Sequence, residues 1–341
     1  MKNGTKRIGT IAIFLALAAV LFSACSEKKA ASAAKPKIFE ITWGLSPATS
    51  AYYAIYSSVA VGIQKANPNL NITVMETGGN ADSARKLRDG ICNVSNGNMQ
   101  SDMELYLGMG NFAGEARPDL RALWYSHVSV YQWVATKDSG IKSLKDFNGK
   151  YMNPGGIGTQ QVQISQGIFK LFNITPRIFE GNQSVASDAF QNRQIVGIAK
   201  LGPIPDSFLQ QLQATQELEF INITDEEYQQ ILTIYPFVTH LKVPAGAYEK
   251  TGEWNTIALW GGTNALSSLP QEVGYALIKG FAEDAMADFI AAYPEGKNLN
   301  LLKQTLDSKI PLHAGTVQYL EEKGYTVPPE LIPSEYVRVK K

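Results

Sequence analysis

Apolar and polar positions along this chain switch period repeatedly, from two-residue alternation to helical spacing and back. Residues 38–44 (IFEITWG) alternate, which puts Phe39, Ile41 and Trp43 on one face of a strand. A turn of small and polar residues follows, from Leu45 to Ser50, and Thr49 or Ser50 can cap the next helix. In that helix Tyr52, Ile55, Tyr56, Val59 and Ile63 recur at helical spacing until Asn67-Pro68 stops it. Residues 71–76 read as a second strand, ending in Thr77-Gly78-Gly79-Asn80 and a helix over 81–89 that Gly90 closes. Residues 93–99 read as a third, ending in Asn98-Met99-Gln100-Ser101-Asp102 and a helix over 103–107. Three successive strands thus end in a small polar turn that opens a helix. In an open parallel sheet such turns gather at the carboxyl edge, where ligands bind.

The design recurs further on. Strands are predicted at 120–124 and 128–135, where the chain crosses to a second lobe, and residues 151–152 end another. Asn153 to Gly158 is a turn with three glycines and a proline, and Thr159 opens a helix over 160–171. Backbone N–H groups in such a turn can approach a ligand, and the helix N-terminus adds partial positive charge, so a small anion site needs no basic side chain. The glycines lack the Lys-Ser/Thr pair of a Walker A loop and the third glycine of a dinucleotide fingerprint. A helix is predicted at 184–191. A fourth turn, Gly202-Pro203-Ile204-Pro205-Asp206, opens a helix at 207–212. Residues 220–223 read as a strand, 225–234 as a helix and 256–260 as the strand returning to the first lobe. Ser268 and Gln271 have capping-box spacing ahead of a long amphipathic helix marked by Val273, Leu277, Phe281, Ala285 and Phe289. Helices at 298–306 and 314–323 complete the pattern.

The N-terminus departs from this pattern. Lys2, Lys6 and Arg7 precede an uncharged apolar run over 8–22, then Ser23-Ala24-Cys25. The run is too short for a comfortable membrane span and has the flanks of a secretory signal. Small residues before a cysteine resemble a bacterial lipobox, which would make Cys25 the lipidated first residue of the mature protein; the alternative is an ordinary secretory signal with a chance cysteine. Residues 1–25 are then the signal and 26–37 a small, polar, lysine-rich tether. Cys92 is left as the remaining thiol, without a partner for a disulfide, and its setting predicts a small core residue. At 341 residues the chain can hold two domains of ordinary size. Charges balance, with 31 Lys+Arg against 31 Asp+Glu, so no basic field for nucleic acid exists.

The candidate chemistry is that of binding. His127, His240 and His313 have no metal-ligand partner at local spacing, and no Gly-x-Ser-x-Gly elbow is present. The sequence therefore predicts no catalytic residue, no cofactor and no metal. Arg85, Arg121 and Arg193 are the cations that could pair with a carboxylate, and each reads as a surface or structural residue. Trp43 and Tyr52 flank the first turn, and each is a candidate either for the core or for a wall of the pocket.

Taken in order, these pieces resemble the extracytoplasmic solute receptors of tripartite (TRAP) transporters, in the TAXI subgroup. The carrying motifs are Ala51-Tyr52-Tyr53, Glu76-Thr77-Gly78-Gly79, Gln100-Ser101-Asp102, the stretch Gly108 to Gly114, Leu120-Arg121-Ala122-Leu123, the stretch Asp138 to Gly149, Gly156-Ile157-Gly158-Thr159, Tyr235-Pro236-Phe237, Pro244-Ala245-Gly246 and Pro311-Leu312-His313-Ala314-Gly315. The resemblance implies an α/β, two-lobed periplasmic-binding-protein fold of type II. Its two mixed sheets carry flanking helices and share a two-strand hinge. Lobe one would comprise 38–131 plus 258–335 and lobe two 132–257. It implies a monomer, lipid-anchored on the extracytoplasmic side, that closes on a small anionic solute of the glutamate or 2-oxoglutarate class. The partner implied is an integral-membrane TRAP permease driven by an ion gradient. Ser46, Thr49, Ser50 and Tyr52 from the first turn, Thr77, Gly78 and Gly79 from the second, and Asn98, Gln100 and Ser101 from the third are the expected ligand contacts. Gly156, Gly158 and Thr159 would face them from lobe two. The chain departs from the subgroup at its first turn, where Ser46-Pro47-Ala48-Thr49-Ser50 replaces a glycine-rich run and adds bulk beside the ligand. A sensory lipoprotein serving a chemoreceptor or histidine kinase is the competing reading. An enzyme on the same fold is a third, which the lipobox and the lack of a catalytic constellation disfavour.

Overall fold

Two long strands carry the architecture. The computed structural model describes residues 37–48, 50–156 and 159–339; the signal, Cys25, most of the tether, Thr49 and Gly158 lie outside the described residues. The first lobe is built from β1 (Phe39–Gly44), α1 (Ala51–Ala66), β2 (Leu70–Met75), α2 (Asn80–Arg88), β3 (Val94–Asn98) and α3 (Met99–Leu107), and leads into β4 (Leu120–Thr136). The second holds β5 (Tyr151–Asn153), α4 (Gln160–Leu171), β6 (Arg177–Ile178), α5 (Gln183–Gln191), β7 (Gly197–Gly202), α6 (Ser207–Gln213), β8 (Leu218–Phe220), α7 (Asp225–Leu232) and β9 (Thr239–Val243). The chain returns along β10 (Trp254–Leu266) to α8 (Gln271–Lys279), α9 (Met286–Ala292), α10 (Leu301–Thr305) and α11 (Ala314–Glu322).

The strand order is β2-β1-β3-β10-β4-β7-β5-β6, with β8 on β4 and β9 on β10. β1 pairs in parallel with β2 and β3, and β5 in parallel with β6 and β7. β10 runs antiparallel to both β3 and β4. The first part of β4 pairs with β10, and its last part with β7 and β8. β10 meets β9 over Trp254 to Ala258 and β3 over Gly261 to Ala265. Each strand therefore belongs to one lobe at one end and to the other lobe at the other end, which is the two-strand hinge. The two expected sheets are continuous through that hinge.

The polar stretch Tyr125-Ser126-His127, read from sequence as a break between two strands, lies inside β4. Register shifts between Gly261 and Gly262 absorb it as a bulge. All three residues are buried, and their polar atoms find partners inside the protein. The expected capping box ahead of α8 does not form. Pro270 occupies the cap position, while the Gln271 carboxamide donates to Gln318 Oε1 (2.8 Å) and to the Val337 carbonyl (2.9 Å). The predicted long helix after it is interrupted by a π-helical turn, Gly280–Ala285, where α1 comes closest. A Cβ on Gly62 would sit 2.7 Å from the Ala285 Cβ.

Trp43 anchors the first lobe. It is fully buried, stacks edge-on against Trp124 (5.7 Å), and donates its indole N–H to Asn96 Oδ1 at 2.9 Å. Trp43 thus belongs to the core and does not wall a pocket. Cys92 is buried against Gly44, as its pattern predicts, and burial pushes its thiol up to about 11, which leaves it unreactive at neutral pH.

Candidate functional site

Because β1, β2 and β3 are parallel neighbours, their three closing turns share one edge. The first two are tied together by side chains. Ala48 N donates to Glu76 Oε1 at 2.7 Å. Thr77 Oγ1 donates to the Leu45 carbonyl and shares a 2.7 Å hydrogen bond with Ser83 Oγ. Gly78 N is taken by Asp82 Oδ2 (2.8 Å) and Gly79 N by Thr77 Oγ1 (3.3 Å). The hydroxyl of Thr77 and the amides of Gly78 and Gly79 are thus engaged within lobe one. Ser50 caps α1, its Oγ accepting from Tyr52 N at 3.3 Å, and Ser46 is half-buried at the same edge.

The third turn reaches furthest. Asn98 and Ser101 form a reciprocal capping box on α3, with 3.0 Å bonds in both directions. The Asn98 amide also crosses to lobe two. Its Nδ2 donates to Gln160 Oε1 at 2.8 Å, and Gln160 Nε2 returns a longer bond to Asn98 Oδ1 at 3.4 Å. Gln160 is the first residue of α4, directly after the cap Thr159, whose Oγ1 donates to the Gly156 carbonyl at 2.7 Å. The structure therefore brings Asn98 of lobe one against Gln160 of lobe two, next to Thr159. The next glutamine faces the other way. Gln161 bridges β7, accepting from Leu201 N (3.0 Å) and donating to the Ala199 carbonyl, beyond the point where β5 has ended. Gly155 makes room for that carboxamide: its φ is +128°, and a Cβ there would lie 2.8 Å from Gln161 Nε2.

Beneath the third turn sits a carboxylate. Asp102 is buried and accepts from Tyr125 Oη (2.7 Å), Asn264 Nδ2 (2.6 Å) and Ser101 Oγ (3.2 Å). Burial pushes its pKa up to about 7, and the three donors pull against that rise. Two of the donors come from β4 and β10, so the cluster seats the third turn directly on the hinge strands. Gln100, also buried, donates from Nε2 to Glu104 Oε1 at 2.7 Å. Its own Oε1 has no hydrogen-bond partner.

An aromatic cluster lines the hinge side. The Tyr52 ring lies on His127 with centroids 4.1 Å apart. Tyr56 Oη bonds Ser126 Oγ at 2.5 Å and His127 Nδ1 at 2.8 Å. Burial takes His127 down to about 3, so it is a neutral imidazole at physiological pH, and raises Tyr52 to about 12. At the fourth turn Asp206 caps α6, and its backbone N–H donates to Tyr248 Oη at 2.7 Å. Lys200 stands 3.7 Å from Asp206 Oδ2 and 2.9 Å from Gln183 Oε1.

With this geometry in place, the comparisons with known proteins decide the family. The NMT1-like family matches this chain over residues 44–324. The chain belongs to the NMT1-like family. Among solved structures it is similar to a TctC solute-binding protein from Polaromonas, at 13% identity and a TM-score of 0.50, covering 74% of this chain and 87% of that one. It is also similar to MatC from Rhodopseudomonas palustris with bound malate, at 14% identity and a TM-score of 0.47, covering 75% and 88%. A third is the alkanesulfonate-binding protein SsuA from Xanthomonas axonopodis pv. citri bound to MOPS, at 13% identity and a TM-score of 0.42, covering 85% and 92%. The likeness to the TctC structure shows the fold, the two-lobed type II solute-binding fold.

Other candidates in this NMT1-like chain fall into structural roles. Arg121 is held by Glu335 (2.6 and 3.0 Å), Arg85 lies over the Phe112 ring at 5.5 Å, and Arg193 is exposed beside Asp138. His313 caps α11, accepting from Gly315 N at 3.2 Å, while its other ring nitrogen meets the Leu269 carbonyl at 2.9 Å. Among the described residues, no group of three or more His, Cys, Asp or Glu could hold a metal ion, and no helix is long and apolar enough to cross a membrane. Gln160, Gln161 and Asn264 were not singled out from the sequence, and Asp102 was marked only as part of the Gln100-Ser101-Asp102 motif. The Gln160-Gln161 pair right after a capping threonine was the available signal; nothing local marked Asn264.

Proposed function

We propose that this receptor works outside the cytoplasm, anchored by a lipid on Cys25, and captures a small carboxylate or amino acid by hinge closure. It then hands the solute to an ion-gradient-driven tripartite permease, as the TAXI resemblance implies. The lobes are assigned to 38–131 plus 258–335 and to 132–257, acting as a monomer and as a binding protein, not an enzyme. Ser46, Thr49, Ser50, Tyr52, Thr77, Gly78, Gly79, Asn98, Gln100, Ser101, Gly156, Gly158 and Thr159 are proposed to border the solute.

One observation carries the reading. The helix-opening turns of the two lobes meet through Asn98 and Gln160, on one side of two strands that run through both lobes. Such a contact exists only when the lobes are closed. A solute that touches both turns stabilises that state over the open one. The test is a thermal-shift screen of the mature chain against carboxylates and amino acids. A ligand at about 100 times its dissociation constant adds roughly 2.7 kcal/mol of stability. Co-purification with a tripartite permease tests the transport half. A partner histidine kinase in its place contradicts that half.

A further inference from the structure

Four polar atoms near the meeting point of the lobes are buried without a hydrogen-bond partner: Gln100 Oε1, Tyr131 Oη, Trp133 Nε1 and Ser165 Oγ. Their residues are all nine-tenths or more buried. They come from three places: the start of α3 in lobe one, the hinge strand β4, and α4 in lobe two. Tyr131 and Trp133 stack with ring centroids 5.6 Å apart. The Tyr131 hydroxyl lies within electrostatic reach of Glu104, in lobe one, and of Tyr235, in lobe two. Glu104 in turn holds the Gln100 amide. Ser165 is one helical turn beyond Gln161, whose carboxamide bonds β7 opposite Tyr131 and Trp133. The four atoms thus come from both lobes and from the hinge strand that joins them.

Their chemistry is mixed. Trp133 can only donate, Tyr131 and Ser165 can donate or accept, and Gln100 Oε1 can only accept. A buried acceptor left unpaired is costly, so its partner must be an N–H or O–H. The surrounding charge is acidic. Glu104 and Asp102 are buried, and among the described residues the one buried lysine or arginine, Arg121, is committed to Glu335. Lys200 is committed to Asp206 and Gln183. A dianion brought here would be buried beside the Glu104 and Asp102 carboxyl groups, with no uncommitted buried cation among the described residues. One carboxylate can be held by neutral donors; among the described residues no uncommitted buried cation meets a second.

Resting on the receptor reading above, we propose that the solute is net-neutral and presents both a hydrogen-bond donor, for Gln100 Oε1, and acceptors, for Trp133, Tyr131 and Ser165. A zwitterionic amino acid or an amide fits; a dicarboxylate such as malate or 2-oxoglutarate does not.

The test is calorimetric titration of the mature chain with matched pairs, glutamine against glutamate and asparagine against aspartate, together with malate and 2-oxoglutarate. The neutral member of a pair should bind about tenfold or more tightly than its anionic isostere. Gln100→Leu should weaken that binding by a similar factor, and Tyr131→Phe, which keeps the ring, should weaken it with the fold intact by circular dichroism. A dicarboxylate as the tightest ligand overturns the proposal and leaves the receptor reading standing. A neutral ligand whose affinity ignores both substitutions overturns the placement. Failure of every solute, charged or neutral, overturns the receptor reading and the proposal with it.

Discussion

Asn98 of the first lobe and Gln160 of the second exchange hydrogen bonds through their carboxamides, at 2.8 Å in one direction and 3.4 Å in the other. Asn98 ends β3 and caps α3, and Gln160 is the first residue of α4. The pair reports closure directly, since separating the lobes must break it.

Gln160→Ala should therefore loosen the closed state with little effect on folding. One net hydrogen bond is worth about 0.5–1.5 kcal/mol, so the closed fraction and solute affinity should fall about two- to tenfold. Small-angle scattering and titration check the two effects. Asn98→Ala is a less clean variant, because it also removes a helix cap worth about 1 kcal/mol.

Gly97→Ala should destabilise the first lobe. A Cβ there would lie 2.4 Å from Asp102 Oδ1 and 2.5 Å from Asn264 Nδ2, inside a packed polar cluster. Overpacking of this kind costs about 1–3 kcal/mol, measurable by chemical denaturation.

Gly262→Ala should be worse. Its Cβ would meet the Trp124 carbonyl oxygen at 1.9 Å, which is backbone in the partner hinge strand and cannot turn aside. Loss of about 3 kcal/mol or more is expected, through broken pairing of β4 and β10. Gly252→Ala, with nothing within 4 Å of the added carbon, is the control and should stay within about 0.5 kcal/mol of wild type.

Asp102 gives a pH test whose sign is fixed. Its folded pKa, about 7, lies above its ordinary value, so the native state binds the extra proton between about pH 4 and pH 7. Its contribution to stability is full below that window, falls as pH rises through it, and is flat above. His127 and His313, held down by burial to about 3 and about 4, act oppositely, gaining stability as pH rises toward 6.5. Wild type should thus show a muted pH profile across the window. Asp102→Asn should expose the histidines' rising slope, and the wild-type advantage over the variant should shrink from pH 4 to pH 7. Denaturation midpoints across that range check it.

What was legible in the sequence is local. Ser50, Asn98, Thr159 and Asp206 were each placed in turns that open helices, and each does cap one, because capping is settled within three or four residues. The alternation of Phe39, Ile41 and Trp43 located β1 for the same reason. What escaped depends on residues far apart in the chain. Ser126 looked like a strand break until Tyr56, 70 residues earlier, supplied its partner. Asp102 could not be assigned to a network when Asn264, which donates to it, lies 162 positions away. The capping box at Ser268 failed because Gln271 found better partners in Gln318 and Val337. Gln160 was passed over because its partner stands on the other lobe.

The central claim is closure of two lobes on a solute, and a distance measurement tests it most directly. Val61 on α1 and Val185 on α5 are exposed, one in each lobe, while Cys92 is buried beyond the reach of a label. Spin labels on Val61→Cys and Val185→Cys, read by pulsed electron resonance, should give a broad distance distribution in the free protein. A solute that raises thermal stability should shift and narrow it toward the closed geometry in which Asn98 meets Gln160. A solute that binds and leaves the distribution unchanged would contradict the account.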